Sequence, residues 1–276
     1  MLPSARHLFL LLVAPLAAAG PTVGRPRVLA DPPANITPPA LLDATGACHR
    51  HAGRWLCPSP CAPHLRFGYN TSPGCSALAL RALEMGRHAE GLAPLALPTN
   101  FARLSPAEQL FVLVNLERIA RSVPPLVGLS SDLDLIAARA AARGADASAT
   151  AVLTSLHASA MGATWAGGAP NATAATFGWI YDDGWSGSAT TNLDCTSAHS
   201  PECWGHRRVL LGAATGTACR RCVAGAAYSG DVRGQNEPSY EFVIARTSAS
   251  VSLSFTWNRN VLPHLPSRGE RVPAGS

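Results

Sequence analysis

Two histidines and a few aspartates are the residues of this sequence that could transfer protons or bind a metal ion. His206 follows a glycine and precedes a short apolar run, which predicts a helix entry with the imidazole ring turned into a pocket. Such a ring could transfer a proton or bind a metal ion, or it could be a half-buried histidine bonded to backbone. The residues that together could hold a divalent ion such as zinc, because imidazole and carboxylate suit it, are His157, His206, Asp182, Asp183 and Asp194.

Aromatic side chains concentrate in the same part of the sequence. Trp165, Trp185 and Trp204 are the candidate ligand-binding residues, because their rings could line a groove for an acyl chain, a sterol-like molecule or the faces of sugar rings. The alternative is that the aromatic residues belong to the core, an interpretation that fits Phe177 and Trp179 best. The cluster therefore predicts either a ligand groove or a part of the core.

Three helices would position these residues. The segment Ser105 to Glu108 has the sequence of a capping box, so a helix is predicted to begin there and to end before Pro124. A second, alanine-rich helix is predicted from Ser130 or Ser131, and Asn171 can cap a third. In the first of these helices the apolar face is predicted to carry Leu110, Phe111, Val114 and Ile119, with Asn115, Arg118 and Arg121 off that face.

Alternating residues towards the C-terminus predict strands. The run from Ser250 to Trp257 alternates serine or threonine with apolar residues, which is the pattern of a half-buried strand. Tyr240, Phe242 and Ile244 alternate likewise, and a third strand is predicted around Val223 to Tyr228. Together these segments indicate helices that flank a small antiparallel sheet.

Several of these features form a set of short motifs, namely Asn115-x-x-Arg118, Pro125-Leu126, the alanine-rich helix and Gly205-His206-Arg207. The set resembles the CAP superfamily, the cysteine-rich secretory protein/antigen 5/pathogenesis-related 1 group, over about residues 105 to 247. The resemblance implies an α+β fold, a three-layer α-β-α sandwich with a small antiparallel sheet. A cysteine-containing N-terminal extension would precede that fold.

The resemblance also bears on metal binding. In the family, a histidine and then a Gly-Glu-Asn-Ile-Ala-like turn lie between the two ends of the motif set. Here His157 is followed by the segment Gly162 to Gly168, and Ala163 stands where the family has its cavity glutamate. The resemblance therefore implies that the His/Glu cluster, which binds a divalent metal in some relatives, is incomplete in this chain.

Eight cysteines predict disulfide bonds, and their clustering favours local pairs. One alternative is a zinc site formed by the N-terminal cysteines with His49, His51 and His64. Another is a redox centre at the Cys-x-x-Cys interval, where flanking arginines would lower a thiol pKa. The simplest pairing scheme is Cys48 with Cys57, Cys61 with Cys75, Cys195 with Cys203, and Cys219 with Cys222.

The chain divides into five predicted segments. Residues 1–19 combine a basic start, an apolar core and small residues before a cleavage point, which predicts a signal peptide. A proline-rich linker at 20–47 and a cysteine-stapled region with a helix at 48–100 follow. The CAP-like domain covers 101–257 and a loose tail covers 258–276. We therefore expect a secreted protein with no integral membrane segment after signal cleavage.

The function expected from the sequence is that of a binding module. We expect a secreted CAP-like protein that acts without catalysis outside the cell or at the cell envelope, on an apolar ligand such as a lipid or on a cell-wall glycan. No residue is assigned a catalytic role. The formal net charge of +5 comes from scattered arginines, so nucleic acid is not an expected partner. The alternative is a divergent extracellular metal-dependent hydrolase that uses His157, His206 and aspartate.

Overall fold

The computed structural model describes residues 31–36, 61, 72–187, 192–212, 219, 221–232 and 237–266, together with the backbone of 49–51 and 54–56. The predicted signal peptide, most of the linker, and Cys48 and Cys57 lie outside these residues, so the predicted pairing of those two cysteines stays a prediction. In the part of the chain that is described, no helix is both long enough and apolar enough to cross a membrane.

The described elements begin with a two-stranded hairpin, β1 (His49–His51) and β2 (Arg54–Leu56). The α-helices are α1 (Pro73–Ala89), α2 (Pro106–Ala120), α3 (Ser131–Arg143), α4 (Ala149–Leu156), α5 (Ala172–Tyr181) and α6 (Gly205–Leu210). The strands of the main sheet are β3 (Gly128–Ser130), β4 (Ala160–Gly167), β5 (Cys222–Ser229), β6 (Ser239–Arg246) and β7 (Leu253–Thr256).

The predicted helix starts are confirmed. The Ser105 hydroxyl accepts a hydrogen bond from the Glu108 backbone N–H, and the Glu108 carboxylate accepts one from the Ser105 backbone N–H at 2.8 Å. The Asn171 side chain likewise accepts from the backbone N–H of Ala174 at 3.0 Å and begins α5. These contacts satisfy backbone donors that a helix start otherwise leaves unpaired, which is why the local sequence was sufficient to locate them.

The five-stranded sheet has the order β4-β6-β5-β3-β7 and confirms the α+β class. Strand β6 pairs antiparallel with both β4 and β5, and β3 pairs antiparallel with β7. The sheet is nevertheless mixed and not wholly antiparallel, because β3 and β5 pair in parallel. Strand β3 lies between β5 and β7, runs parallel to β5 and antiparallel to β7, and leads directly into α3.

Strand β4 differs from the expectation drawn from the resemblance. The segment Gly162 to Gly168 was expected to form a turn, but all eight residues of Ala160–Gly167 pair with β6. Small residues give this segment little β propensity of its own, so its conformation comes from pairing with the apolar strand β6. Ala163 pairs with Val243 and packs among the apolar residues below α3 and α4.

Helices cover both faces of the sheet. Successive side chains of β6 point to opposite faces, so they enter two different cores. Tyr240, Phe242 and Ile244 enter the larger core, which contains residues of α1, α2 and α5. Val243 and Ala245 enter the smaller core, which contains residues of α3 and α4. The predicted region 48–100 contributes to the larger core through Cys61, Cys75, Ala79, Ala82 and Leu83, each with no exposed surface.

The prediction that α2 has one buried apolar face and one polar face is wrong. The residues from Leu110 to Val114 have no exposed surface, and Asn115 and Arg118 on the supposed outer face are equally buried. Ile119, which was predicted to be buried, is 42% exposed. Most of the helix is covered because α5 and β5 pack on it and buried charged side chains connect it to α1 and α6.

These charged side chains form an ion network centred on Glu117, whose carboxylate is fully buried. Its Oε1 atom contacts Arg87 of α1 at 2.8 Å, and its Oε2 atom accepts from Arg121 and from the Tyr181 hydroxyl. Glu90 continues the network and contacts both Arg121, at 2.7 Å, and Arg207, at 2.8 Å. The network therefore connects α1, α2, α5 and α6.

Both ends of the described chain make specific contacts or form regular structure. In the predicted linker, the Asn35 side chain bonds to both backbone groups of Gly184, and the Ile36 N–H donates to the Tyr181 carbonyl. At the other end, Trp257 begins a π-helix, Trp257–Val261, where a strand was predicted. A 3₁₀ helix, Leu262–His264, follows, so the prediction of a loose tail is wrong for residues 258–266.

Three predicted disulfides are present, namely Cys61–Cys75, Cys195–Cys203 and Cys219–Cys222. Cys219 and Cys222 are 6% and 0% exposed, so the Cys-x-x-Cys interval forms a buried bridge at the start of β5. Such burial keeps a soluble thiol away from the sulfur atoms, which does not favour the alternative of a redox centre.

Candidate functional site

The candidate site lies where the end of α5 meets the start of α6. Asp182 ends α5, and Asp183 follows it with an exposed fraction of 1%. The N–H of Trp204 donates to the Asp183 carbonyl at 2.8 Å, which brings the residue before α6 against the residues after α5. Trp204 has a φ of 63°, a left-handed conformation that costs about 1–3 kcal/mol in a residue other than glycine and is typical of functional sites.

His206 and Asp183 form a hydrogen-bonded pair. The His206 Nδ1 atom lies 2.7 Å from Asp183 Oδ1, and the other carboxylate oxygen accepts from the Arg207 backbone N–H at 3.2 Å. The Asn192 amide also donates to Asp183 Oδ1, at 2.8 Å. Since a carboxylate is an acceptor, His206 Nδ1 carries a proton in this contact. The imidazole ring is thus fixed by an acid that several donors hold in place.

The second nitrogen of His206 is the chemically available atom. The side chain is 19% exposed, and no described residue makes a hydrogen bond to Nε2. With Nδ1 protonated and bonded, Nε2 of the neutral ring is an acceptor, and Nε2 of the charged ring is a donor. The pair can therefore take up a proton at Nε2, release one, or hydrogen-bond a ligand there.

Electrostatic surroundings favour the charged form of His206. Burial by itself lowers the pKa of the imidazole, but the hydrogen bond and charge of Asp183, with the charges of Asp146 and Asp194, outweigh it and raise that pKa above its ordinary value. Burial raises the pKa of Asp183 as well, against the opposing effect of His206. A protonated His206 is consequently retained to higher pH than an isolated histidine.

Asp146 is a member of the site that the sequence did not indicate. Its carboxylate lies near the backbone N–H of Trp165 on β4, and the indole Nε1 of Trp179 donates to the Trp165 carbonyl at 3.0 Å. The Trp179 side chain thus satisfies the carbonyl of Trp165, which lies on a strand at one end of the sheet order. Loss of surrounding water raises the pKa of Asp146, and the charge of His206 opposes that rise.

Glu241 is a second acid that the sequence did not indicate. It lies on β6 opposite Trp165, has no exposed surface, and accepts the Ala147 backbone N–H at Oε1, 2.9 Å away. No described residue bonds to its Oε2 atom. Burial, together with the charge of Asp146, raises the pKa of Glu241 well above its ordinary value, so this side chain retains a proton when exposed carboxyls have lost theirs.

The structure does not assemble the metal ligands that the sequence suggested. His157 is the left-handed C-cap of α4, with a φ of 49° and an exposed side chain, and it is not among the groups whose charges act on His206. Asp182 lies beside Asp183, but the hydrogen bond to His206 comes from Asp183. Among the described residues, no group of three or more histidine, cysteine, aspartate or glutamate side chains could hold a metal ion.

The three candidate tryptophans occupy different environments. Trp204 is only 8% exposed and packs against Gly184, where a Cβ atom would overlap its ring, so it is part of the scaffold. Trp165 is half-buried, and its Nε1 donates to the Ser239 hydroxyl at 2.7 Å. Trp185 is 37% exposed and lies two residues after Asp183. Of the three, Trp185 offers the largest exposed fraction of its ring to a ligand.

Comparison of the chain with models of known families, with curated proteins and with solved structures finds no match.

Proposed function

We propose that this protein is an exported CAP-like domain that binds a cell-wall glycan beside the His206–Asp183 pair, and that it acts as a binding module outside the cell or at the cell envelope. The three disulfides support export, because such bonds persist in oxidising compartments. Helices on both faces of a small sheet support the CAP-like sandwich, as does the entry of Gly205-His206-Arg207 into α6.

The single observation that carries the proposal is the fixed His206 ring. A histidine that served only the core would have both ring nitrogens inside the protein or bonded to it. Here a carboxylate with 1% exposure holds Nδ1 at 2.7 Å, while the ring stays 19% exposed and Nε2 has no partner among the described residues. The arrangement also includes a left-handed Trp204. Together these features favour a ligand-binding role for the imidazole.

The chemistry around His206 favours a glycan over a lipid. Asp146 and Asp194 lie close enough for their charges to act on the ring, and carboxylates accept hydrogen bonds from sugar hydroxyls. An acyl chain would bring these acids no partner and would cost their hydration. Trp185, with 37% of its surface exposed, can stack against the face of a sugar ring. A lipid ligand is thus the less favoured form of the same binding function.

A second candidate function is hydrolysis by general base catalysis. The specific observation in its favour is the contact of Asp183 with His206 Nδ1, since an acid so placed orients an imidazole that removes a proton at Nε2. In that mechanism, the neutral ring takes a proton from water at Nε2, and Asp183 stabilises the imidazolium that forms. The raised pKa of His206 would shift such activity to higher pH than an ordinary histidine would require, because the ring must first lose its proton.

The test is a binding assay on the purified mature protein with two probes, insoluble peptidoglycan and vesicles of phosphatidylglycerol. We expect the parent protein to sediment with peptidoglycan, and His206→Ala to weaken that binding at least about tenfold, as expected for the loss of one hydrogen bond to a charged group. His157→Ala is the matched control, because it removes an exposed histidine of the same domain without touching Asp183.

Each outcome of this assay has a distinct meaning. Binding to vesicles alone would replace the glycan with a lipid. Equal binding by the parent protein and His206→Ala would contradict a role for the His206–Asp183 pair. Release of soluble fragments from peptidoglycan by the parent protein, but not by His206→Ala, would move the hydrolase to first place.

A further inference from the structure

The loop before α6 has contacts that packing alone does not require. Asn192 is 5% exposed, and its amide donates to Asp183 Oδ1 at 2.8 Å, to the Asp183 carbonyl at 3.3 Å and to the Glu202 carbonyl at 3.0 Å. Asn192 therefore bonds Asp183, which follows α5, and Glu202, which lies within the Cys195–Cys203 loop. One of those contacts reaches the same oxygen atom that holds His206.

The two ends of this loop both contact Asp183. At the first end, Asn192 holds the carboxylate, and its own side-chain oxygen accepts the Asp194 backbone N–H at 3.0 Å. At the second end, the N–H of Trp204 donates to the Asp183 carbonyl at 2.8 Å. Between them, the disulfide joins Cys195 and Cys203, which are 0% and 6% exposed. The disulfide thus limits the separation of Asn192 and Trp204, which both hydrogen-bond to Asp183.

A carboxylate can rotate about its own side-chain bonds, so its orientation needs more than one donor. Asp183 Oδ1 accepts hydrogen bonds from the Asn192 amide and from His206 Nδ1, and Oδ2 accepts one from the Arg207 backbone N–H. Without the Asn192 amide, rotation of the carboxylate would no longer be opposed from the loop side. The His206 ring depends on the orientation of the Asp183 carboxylate. Among the described residues, the hydrogen bond from Nδ1 to Asp183 is the one that fixes the ring.

We propose that Asn192 and the Cys195–Cys203 disulfide form a clamp that positions the Asp183 carboxylate and, through it, the His206 ring. Asn192 is a positioning residue in this account and does not touch the ligand. The relevance of the clamp to binding rests on the function proposed above. The clamp itself is a property of the folded protein and can be measured without any ligand.

The experiment observes the His206 Nδ1 proton by NMR, which gives a separate downfield resonance when the proton is held in a short hydrogen bond to a carboxylate. Asp183→Asn assigns the signal in the parent protein. We expect Asn192→Ala to abolish or strongly broaden it. Asn192→Asp keeps the shape of the side chain but lacks the amide donor, so it should have the same effect. Asn192→Ser keeps a donor and should retain part of the signal.

Matched controls separate positioning from general loss of structure. Asn115 is an equally buried asparagine that bonds both backbone groups of Leu126, so Asn115→Ala should destabilise the fold but leave the His206 signal in place. For the disulfide, Cys195→Ser with Cys203→Ser should broaden the signal. Cys61→Ser with Cys75→Ser removes a bridge in the larger core and should not. Thermal unfolding confirms that each variant is folded at the temperature of the spectra.

An unchanged downfield signal in Asn192→Ala and in Cys195→Ser with Cys203→Ser would overturn the clamp, whatever the ligand assay gives. Loss of the signal in the two control variants as well would also overturn it, because the effect would then be one of general stability. Sedimentation with peptidoglycan is measured on the same variants. We expect Asn192→Ala to bind peptidoglycan up to about tenfold more weakly, because the His206 ring is no longer held in position for its own hydrogen bond to the ligand. A lost signal with unchanged binding would keep the clamp and contradict the proposed function.

Discussion

Two buried acids, Glu117 and Asp183, hold charged partners in very different ways. Glu117 receives Arg87, Arg121 and the Tyr181 hydroxyl, and its side chain has no exposed surface. Asp183 is equally buried, but its partner His206 remains 19% exposed with one ring nitrogen that no described residue bonds. The first arrangement uses all of its charges within the protein. The second leaves one polar atom for a molecule from outside.

Arg207 connects the two regions. Its guanidinium contacts Glu90 of the ion network at 2.8 Å and donates to the Ile180 carbonyl at 2.7 Å, while its backbone N–H holds Asp183 Oδ2. The Arg207 side chain is only 2% exposed, so its ion pair with Glu90 is buried on the arginine side. Arg207 therefore connects the candidate site to the ion network. The Glu117 and Asp183 pairs differ in whether solvent can reach the basic partner.

The largest effect is expected at Glu117. Glu117→Gln leaves Arg87 and Arg121 buried without their shared carboxylate, so it should lower the free energy of unfolding by about 3–5 kcal/mol, as is typical when one partner of a buried pair is removed. Urea unfolding measures the change. A loss below about 1 kcal/mol, in the range of an exposed pair, would break the contrast between the two regions.

A smaller effect on stability, but a larger one on the site, is expected at Asp183. Asp183→Asn removes the largest of the contributions that raise the His206 pKa, so that pKa should fall, because burial by itself lowers it. The free energy of unfolding should fall by about 1–3 kcal/mol for the lost charged hydrogen bond. An NMR titration of the imidazole C–H signals measures the pKa. If the pKa of His206 stayed raised in this variant, Asp183 would not be its main partner.

The pH dependence of stability follows from the same pair. Because the folded pKa of His206 lies above its unfolded value of about 6.5, its contribution to stability is fully present below that value and is lost as pH rises through the folded pKa. We expect the parent protein to lose this increment on the alkaline side and Asp183→Asn to lack it. Parallel urea unfolding curves across this pH range make the comparison. Identical pH profiles for the two proteins would exclude this linkage.

The smallest effect is expected at Arg208, which pairs with Asp31 at 2.6 Å on the surface. The two side chains are 44% and 30% exposed, so Arg208→Ala should change the free energy of unfolding by at most about 1 kcal/mol. The same urea assay gives the value, with added salt as a check on screening. A cost comparable to that of Glu117→Gln would show that exposure does not separate the two kinds of pair.

Local signals predicted part of this molecule well. The capping box of Ser105 and Glu108, the Asn171 cap and the short-range disulfides depend on residues a few positions apart, so the sequence contained their whole cause. Strands β6 and β7 were likewise predicted from alternation, and a strand was also predicted where β5 lies. His206 and Asp183 were both among the candidate residues, although their direct contact was not foreseen.

Other features depend on contacts across the chain and could not be predicted in this way. Strand β4 is made of small residues, and only its pairing with β6 makes it a strand. The charge of Asp146 acts on His206 and on the buried Glu241 of β6, and the sequence did not reveal that these residues come close together. The burial of Arg118 has the same origin, since its guanidinium reaches the Leu210 carbonyl at 2.7 Å.

The most direct test of the central claim is an NMR titration of His206 in the presence and absence of soluble peptidoglycan fragments. We expect its imidazole signals to shift on addition of the fragments, with a pKa that is raised without ligand and changes when ligand occupies Nε2. The signals of His157 should stay where they are. If the fragments bind and the His206 signals and pKa do not change, the ligand site does not include the His206–Asp183 pair.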